Sequence, residues 1–197
     1  MLMTLPLALA ATLLQAAQAP SFDYDRTKPV DAKIDPGAVA VTVQQLTYAQ
    51  LDGTRNAATL VTPNGAGGAA RPAILFLHWY EPPRPTSNRT EFLAEAVDLA
   101  ASGVVSLLVD TPWADQQWFG KRDAAHDYEF TIEMTRNVRR ALDVLLAQPG
   151  LDPRRIAVVG HDFGAMWGAL AAGADPRVTH FVYMAGTRSF TDWYLFG

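Results

Sequence analysis

The stretch Ile156-Ala157-Val158-Val159-Gly160-His161-Asp162-Phe163-Gly164-Ala165 constrains the fold of this chain more than any other. An apolar, β-branched run of strand type drives into Gly-x-x-x-Gly, and a helix-forming segment of small residues follows at once. That is the pattern of a nucleophile elbow, a sharp strand-to-helix turn that holds one reactive side chain clear of the sheet edge. The central residue is Asp162, where such turns most often carry serine. Gly160 and Gly164 suit a turn in which neighbouring backbone comes too close for β-carbons. Ala165, Gly168, Ala169 and Ala172 let the following helix pack tightly on a sheet. The other reading of Asp162 is a helix N-cap, a role aspartate fills well.

The elements before this turn set its context. Val39 to Tyr48 alternates and is rich in β-branched residues, as a strand does. Asp52-Gly53 is a hairpin signal, with a return strand from Asn56 to Thr62. Ala73-Ile-Leu-Phe-Leu77 and Val104 to Val109 are continuous apolar runs, the mark of strands buried on both faces. Between them, three prolines after His78 forbid a helix at once. Asn88 and Glu91 have capping-box spacing. Phe92, Leu93, Ala96, Val97 and Ala100 then form a helical stripe closed by Gly103. A loop dense in polar and aromatic residues runs from Ala114 to Tyr128. A long helix follows, with Met134, Val138, Leu142 and Leu145 on its apolar face and Arg136, Arg139 and Arg140 mostly elsewhere. Val178 to Met184 is the last strand signal.

A hairpin followed by alternating strands and helices predicts an α/β fold, a mostly parallel sheet with helices on both faces. The strand ends at His78, Asp110, Asp162 and Gly186 are expected along one edge, where ligands bind in such folds. Residues 39–197 are expected to form this domain, after an extended lead-in at 20–38. In 197 residues, 49% hydrophobic and 18% charged content suits a folded domain and excludes a disordered chain. The net charge of -4 offers no basic footprint for nucleic acid. The chain has no cysteine, so neither a disulfide framework nor a cysteine metal site is expected. No metal and no cofactor is expected, and the partner is a small-molecule substrate.

The first residues carry an address. Leu5 to Leu14 is an uncharged core of about ten residues, the size of a signal-peptide core and short for a membrane span. Ala17-Gln18-Ala19 supplies an Ala-x-Ala cleavage site, although Met1 to Pro6 has no lysine or arginine. Residues 1–19 are therefore expected to be a signal peptide of a periplasmic or secreted protein; the alternative is a frayed apolar helix on a cytoplasmic one. No further membrane segment is expected.

The order of elements, together with Gly160-His161-Asp162-Phe163-Gly164, resembles the α/β-hydrolase superfamily from about Val39 onward. Within it the chain looks most like dienelactone-hydrolase-type proteins, on His78 ending its strand, Gly103-Val104-Val105 entering the next, and Asp110-Thr111-Pro112-Trp113 leaving it. The elbow is similar to that of epoxide hydrolases and haloalkane dehalogenases, which use an aspartate nucleophile; dienelactone hydrolases carry cysteine there. The resemblance implies a hydrolase with Asp162 as nucleophile and the backbone N–H groups of Trp79 and Phe163 as oxyanion hole. His78, Tyr80, Trp113 and His161 are the candidates for the substrate pocket. It also implies an acid and a histidine after later strands. Six strands are legible, so the fold is expected to be truncated after about the sixth. None of His78, His126, His161 and His180 has the place of a triad histidine, and Asp192 is the candidate acid. Two other readings stand beside this one: an ester or lactone hydrolase using Asp162 as base, and a non-catalytic binding module on the same scaffold.

Overall fold

The computed structural model describes residues 21–34, 43–63, 70–187 and 189. The expected signal peptide and Asp192 lie outside the described residues. The strands are β1 (Lys33–Ile34), β2 (Val43–Ala49), β3 (Arg55–Val61), β4 (Arg71–Leu77), β5 (Val105–Val109), β6 (Leu151–His161) and β7 (His180–Met184). They form one seven-stranded sheet in the order β1-β2-β3-β5-β4-β6-β7. The hairpin pairs Val43 with Val61 and Ala49 with Arg55, around the turn that Asp52-Gly53 predicts. β3 pairs antiparallel with β5, while β5, β4, β6 and β7 run parallel.

The helices are α1 (Leu93–Ala100), α2 (Trp118–Lys121), α3 (Asp127–Leu146) and α4 (Phe163–Ala174). One face of the sheet packs α1, through Phe76, Phe92, Ala96, Ala100 and Leu108. The other packs α3 and α4, through residues such as Leu75, Leu77, Val138, Leu142, Val158 and Trp167. Two covered faces explain the uninterrupted apolar runs: every residue of β5 is buried. No described helix is long and apolar enough to cross a membrane.

Three local expectations change. The first is the lead-in, which supplies β1, paired with Leu46 and Thr47, and lies along α3. The second is the expected capping box. Asn88 Oδ1 accepts the N–H and hydroxyl of Thr90, α1 begins only at Leu93, and the Glu91 carboxylate turns away toward β6. Within the predicted stripe, Val97 is 44% exposed.

The third concerns α3, where Arg139 and Arg140 are buried despite lying off the predicted apolar stripe. They bind the lead-in through its backbone: Arg139 donates to Phe22 O, and Arg140 to Lys28 O and Pro29 O. Tyr24 answers by donating to Arg139 O at 3.0 Å. Arg139 Nε also donates to Asp175 Oδ2 at 3.1 Å, with both side chains out of water. Burial opposes ionisation of Asp175, but the bonds from Arg177 and Arg139 outweigh it and hold its carboxyl at about 2. Removing one partner of a buried pair leaves the other charge uncompensated, at about 3–5 kcal/mol. Asp175→Ala should lower the unfolding free energy by that amount, read in equilibrium unfolding as a lower denaturant midpoint at unchanged slope.

Candidate active site

The C-terminal ends of β4, β5 and β6 meet around Asp162. The chain leaves β6 at His161, turns at Asp162 and enters α4 at Phe163. Asp162 has φ +52° and ψ −115°, a conformation that disfavours any residue with a β-carbon. The turn is as tight as its two glycines suggest. A β-carbon on Gly160 would lie 2.3 Å from Gly164 O, and one on Gly164 would lie 2.2 Å from Leu77 O. Asp162 N–H donates to Met184 O at 2.9 Å, which ties the turn to the end of β7.

The carboxylate does not cap α4. It accepts instead the backbone N–H of Tyr80 at 3.2 Å, across from the loop after β4, and the neighbouring Phe163 amide favours its charged form. Burial raises its pKa above the ordinary aspartate value; the two amides and nearby His161 oppose the shift, and Glu81 adds to it. Of the amides proposed from sequence, Phe163 does face Asp162. Trp79 does not: its N–H donates to Glu91 Oε2 at 2.6 Å, and the next amide along, that of Tyr80, takes the expected place.

The reason lies in His78. Its ring is buried, and Nε2 accepts the N–H of Thr111 at 3.2 Å, which leaves the proton on Nδ1. Nδ1–H donates to Trp79 O at 2.7 Å, and the Thr111 hydroxyl lies 2.7 Å from Nε2. With its carbonyl drawn toward His78, the Trp79–Tyr80 peptide points its N–H the other way, at Asp162. His78 thus organises the loop after β4.

Burial holds the His78 imidazole at about 4, well below its ordinary 6.5. The unfolded chain therefore binds a proton that the folded ring refuses between these two values. Stability from this group is complete above pH 6.5 and falls as the pH drops toward 4, by on the order of 3 kcal/mol in all. Denaturant unfolding across that window should show a steeper loss for the native chain than for His78→Asn.

His161 meets Glu91 Oε1 through Nδ1 at 2.5 Å, and its ring stacks on Trp79 at 4.9 Å. Tyr80 stacks on Phe163 at 5.4 Å and donates its hydroxyl to Gln116 O at 3.0 Å. Trp113 is wholly buried, donates its indole N–H to His78 O at 2.9 Å and stacks on Trp167 at 4.8 Å. It packs in the core beneath the loop after β4. The aromatic loop around α2 closes over these rings, with Trp118 and Phe119 both against Phe163. Asp110, at the end of β5, is taken up by the backbone and guanidinium of Arg89.

Beside the turn lies a cavity of about 530 Å³ between α4 and the end of β7, lined by Ala165, Met166, Leu170, Tyr183 and Gly186 among others. His126 pairs with Asp123 on the surface, and His180 opens β7 four residues before Met184, whose carbonyl meets Asp162. Among the described residues no group of three or more metal-binding side chains converges. Sequence reasoning missed Glu91, Ser87 and Thr111, which hold the loop after β4. Their partners are distant in the chain, and the one local signal, the capping-box spacing, pointed Glu91 elsewhere.

No family model matches this chain, and no curated protein does. Solved structures are similar to it. An acetyl xylan esterase from Paenibacillus sp. R4 is 22% identical with a TM-score of 0.56, over 78% of this chain and 53% of its own. A dienelactone hydrolase-like promiscuous phosphotriesterase from metagenomic libraries is 21% identical with a TM-score of 0.56, over 74% and 59%. An alpha/beta hydrolase from Penicillium sp. sh18 is 18% identical with a TM-score of 0.55, over 76% and 47%. The chain spans about half the length of the solved structures it matches. A mixed sheet with this strand order, helices on both faces and these structural relatives together establish that the chain has the α/β-hydrolase fold, over the part of that fold it spans.

Proposed function

We propose that the whole protein is a hydrolase of dienelactone-hydrolase-like type acting on a small organic substrate, with Asp162 as nucleophile in a nucleophile elbow. One observation carries the reading: the Tyr80 and Phe163 amides rest on the carboxylate of Asp162 itself. An ester substrate attacked at its carbonyl would need those donors for its own oxygen, and would yield a high-energy anhydride. Attack on a saturated carbon needs no such donor and gives an ordinary alkyl ester.

In that route a carboxylate oxygen bonds to the carbon while the bond to a halide or epoxide oxygen breaks, the leaving group keeping the electron pair. Water then adds at Cγ of the Asp162 ester and gives its proton to a base. The oxyanion forms on the Asp162 oxygen that Tyr80 and Phe163 already face. Collapse releases the alcohol and restores the carboxylate. We assign the base to the histidine that this fold carries after its last strand, downstream of the described residues, because His78 and His161 are engaged elsewhere.

The test is a single turnover in ¹⁸O-water. The label should enter the Asp162 peptide, detected by mass spectrometry, before it appears in product. Label in the product alone, from an ester or lactone, would favour the second reading, in which Asp162 is a general base; its raised pKa suits that role. Binding without turnover across epoxide, haloalkane and lactone substrates would favour a binding module. We also propose export to the periplasm or outside the cell. Cleavage near Ala19 would leave intact the segment from Ser21 that packs on α3, and the mature N-terminus can be read by sequencing.

A further inference from the structure

The donor that faces Asp162 belongs to a peptide held from its other end and from the peptide before it. The Trp79 carbonyl accepts from His78 Nδ1–H at 2.7 Å and from the Ser87 hydroxyl at 3.2 Å. The Trp79 N–H, in the preceding peptide, donates to Glu91 Oε2 at 2.6 Å. The second oxygen of the same carboxylate lies 2.5 Å from Nδ1 of His161, the residue immediately before Asp162. The His161 ring in turn lies over the Trp79 indole, 22° from parallel. Only 11% of the Glu91 side chain reaches solvent. A nearly buried carboxylate with each oxygen bonded to a different loop is a strut, and here the two loops are those that bring Tyr80 and Asp162 together.

We propose that Glu91 is a positioning residue for the reaction at Asp162, bridging the loop after β4 and the β6–α4 turn so that the Tyr80 N–H stays aimed at the Asp162 carboxylate. Glu91 touches no reacting atom; it acts through the Trp79 amide on one side and the His161 ring on the other. Without it, Trp79 N–H loses its acceptor, the peptide plane is held only at its carbonyl end, and the Tyr80 donor swings. A misplacement of about 1 Å at such a site costs on the order of 100-fold in rate. The inference rests on the proposed role of Asp162, but its first readout does not need turnover.

That readout is the Tyr80 amide resonance of the full chain, followed by NMR while Asp162 titrates. In the native chain the resonance should move with ionisation of Asp162, because that ionisation strengthens its hydrogen bond. Glu91→Ala should lose roughly half or more of this movement, because a donor displaced by about 1 Å no longer bonds the carboxylate whose charge is changing. Glu91→Leu, which fills the space but accepts nothing, gives the same reading if Glu91→Ala does not fold. Glu91→Gln keeps an acceptor for Trp79 and should restore the movement. On any substrate turned over, Glu91→Ala should lower kcat about 10- to 100-fold and leave KM within about 2-fold. An unchanged Tyr80 movement in folded Glu91→Ala or Glu91→Leu would overturn the proposal. Full activity in Asp162→Asn would instead sink the nucleophile reading and leave the strut standing.

Discussion

Asp162→Gly is expected to raise the unfolding midpoint while abolishing covalent capture of substrate. Two costs sit at this residue. Its backbone is held at φ +52° and ψ −115°, a region that only glycine occupies freely, at about 1–3 kcal/mol for other residues. Its carboxylate is half-buried and disfavoured in the charged form, with a raised pKa. Glycine removes both, and a gain of about 1–2 kcal/mol follows after allowing for the Tyr80 and Phe163 amides left without their acceptor. Under the mechanism proposed for Asp162, chemistry goes the other way. With no carboxylate there is no ester, and turnover should fall by at least about 10³-fold, as when a nucleophile is removed elsewhere. Asp162→Asn separates the two effects: its amide oxygen still faces Tyr80 and Phe163, so stability should stay close to native while activity is lost. Thermal unfolding with mass spectrometry of the substrate-treated chain measures both. A residue that destabilises the fold and serves only the reaction has this signature; a structural cap would show a loss of stability on replacement.

Gly164→Ala should be among the most damaging single substitutions in the chain. The new β-carbon would lie 2.2 Å from Leu77 O, the last carbonyl of β4, and 2.7 Å from His78 O just beyond it, both backbone atoms. Neither can rotate away, so α4 must shift off β4 or the loop after Leu77 must move, and the Tyr80 amide moves with it. A loss of about 4 kcal/mol or more is expected, in the range of severe core disruption. Gly168→Ala, one turn on, meets two side-chain methyls, Leu77 Cδ1 at 3.1 Å and Val158 Cγ1 at 3.3 Å, and should cost about 1 kcal/mol. Gly173→Ala near the end of the same helix meets nothing within 4 Å and should stabilise by about 1 kcal/mol through helix propensity. Equilibrium unfolding of the three variants tests the whole gradient. Similar values at all three would contradict close approach at Gly164.

Much of this fold is readable in single segments. The buried runs at β4 and β5, the Asp52-Gly53 hairpin and the strand-turn-helix at β6 and α4 each follow from local period and local sterics. Even the two glycines of the turn announce a close approach, since nothing else about Gly160 or Gly164 recommends glycine beside a strand and a helix. The failures share a cause. Arg139 and Arg140 read as lying off the apolar face because a sequence does not reveal that carbonyls of residues 22–29 will arrive to receive them. β1 was missed because two residues carry no period. Trp113 reads as a pocket wall and is core, since only packing decides which side of a strand end a loop aromatic takes.

The candidate site divides along the same line. By itself the sequence determined that an aspartate sits at a sharp turn between β6 and α4, because that turn is made by ten consecutive residues whose sterics are local. Only the tertiary structure decided which groups Asp162 faces. The Tyr80 amide is aimed by His78, and His78 by Thr111 at the end of β5. Glu91 joins His161, 70 residues after it in the chain, to Trp79, 12 residues before it. Hydrogen bonds between segments so far apart leave no periodic trace, because their geometry exists only after the sheet has brought three strand ends together.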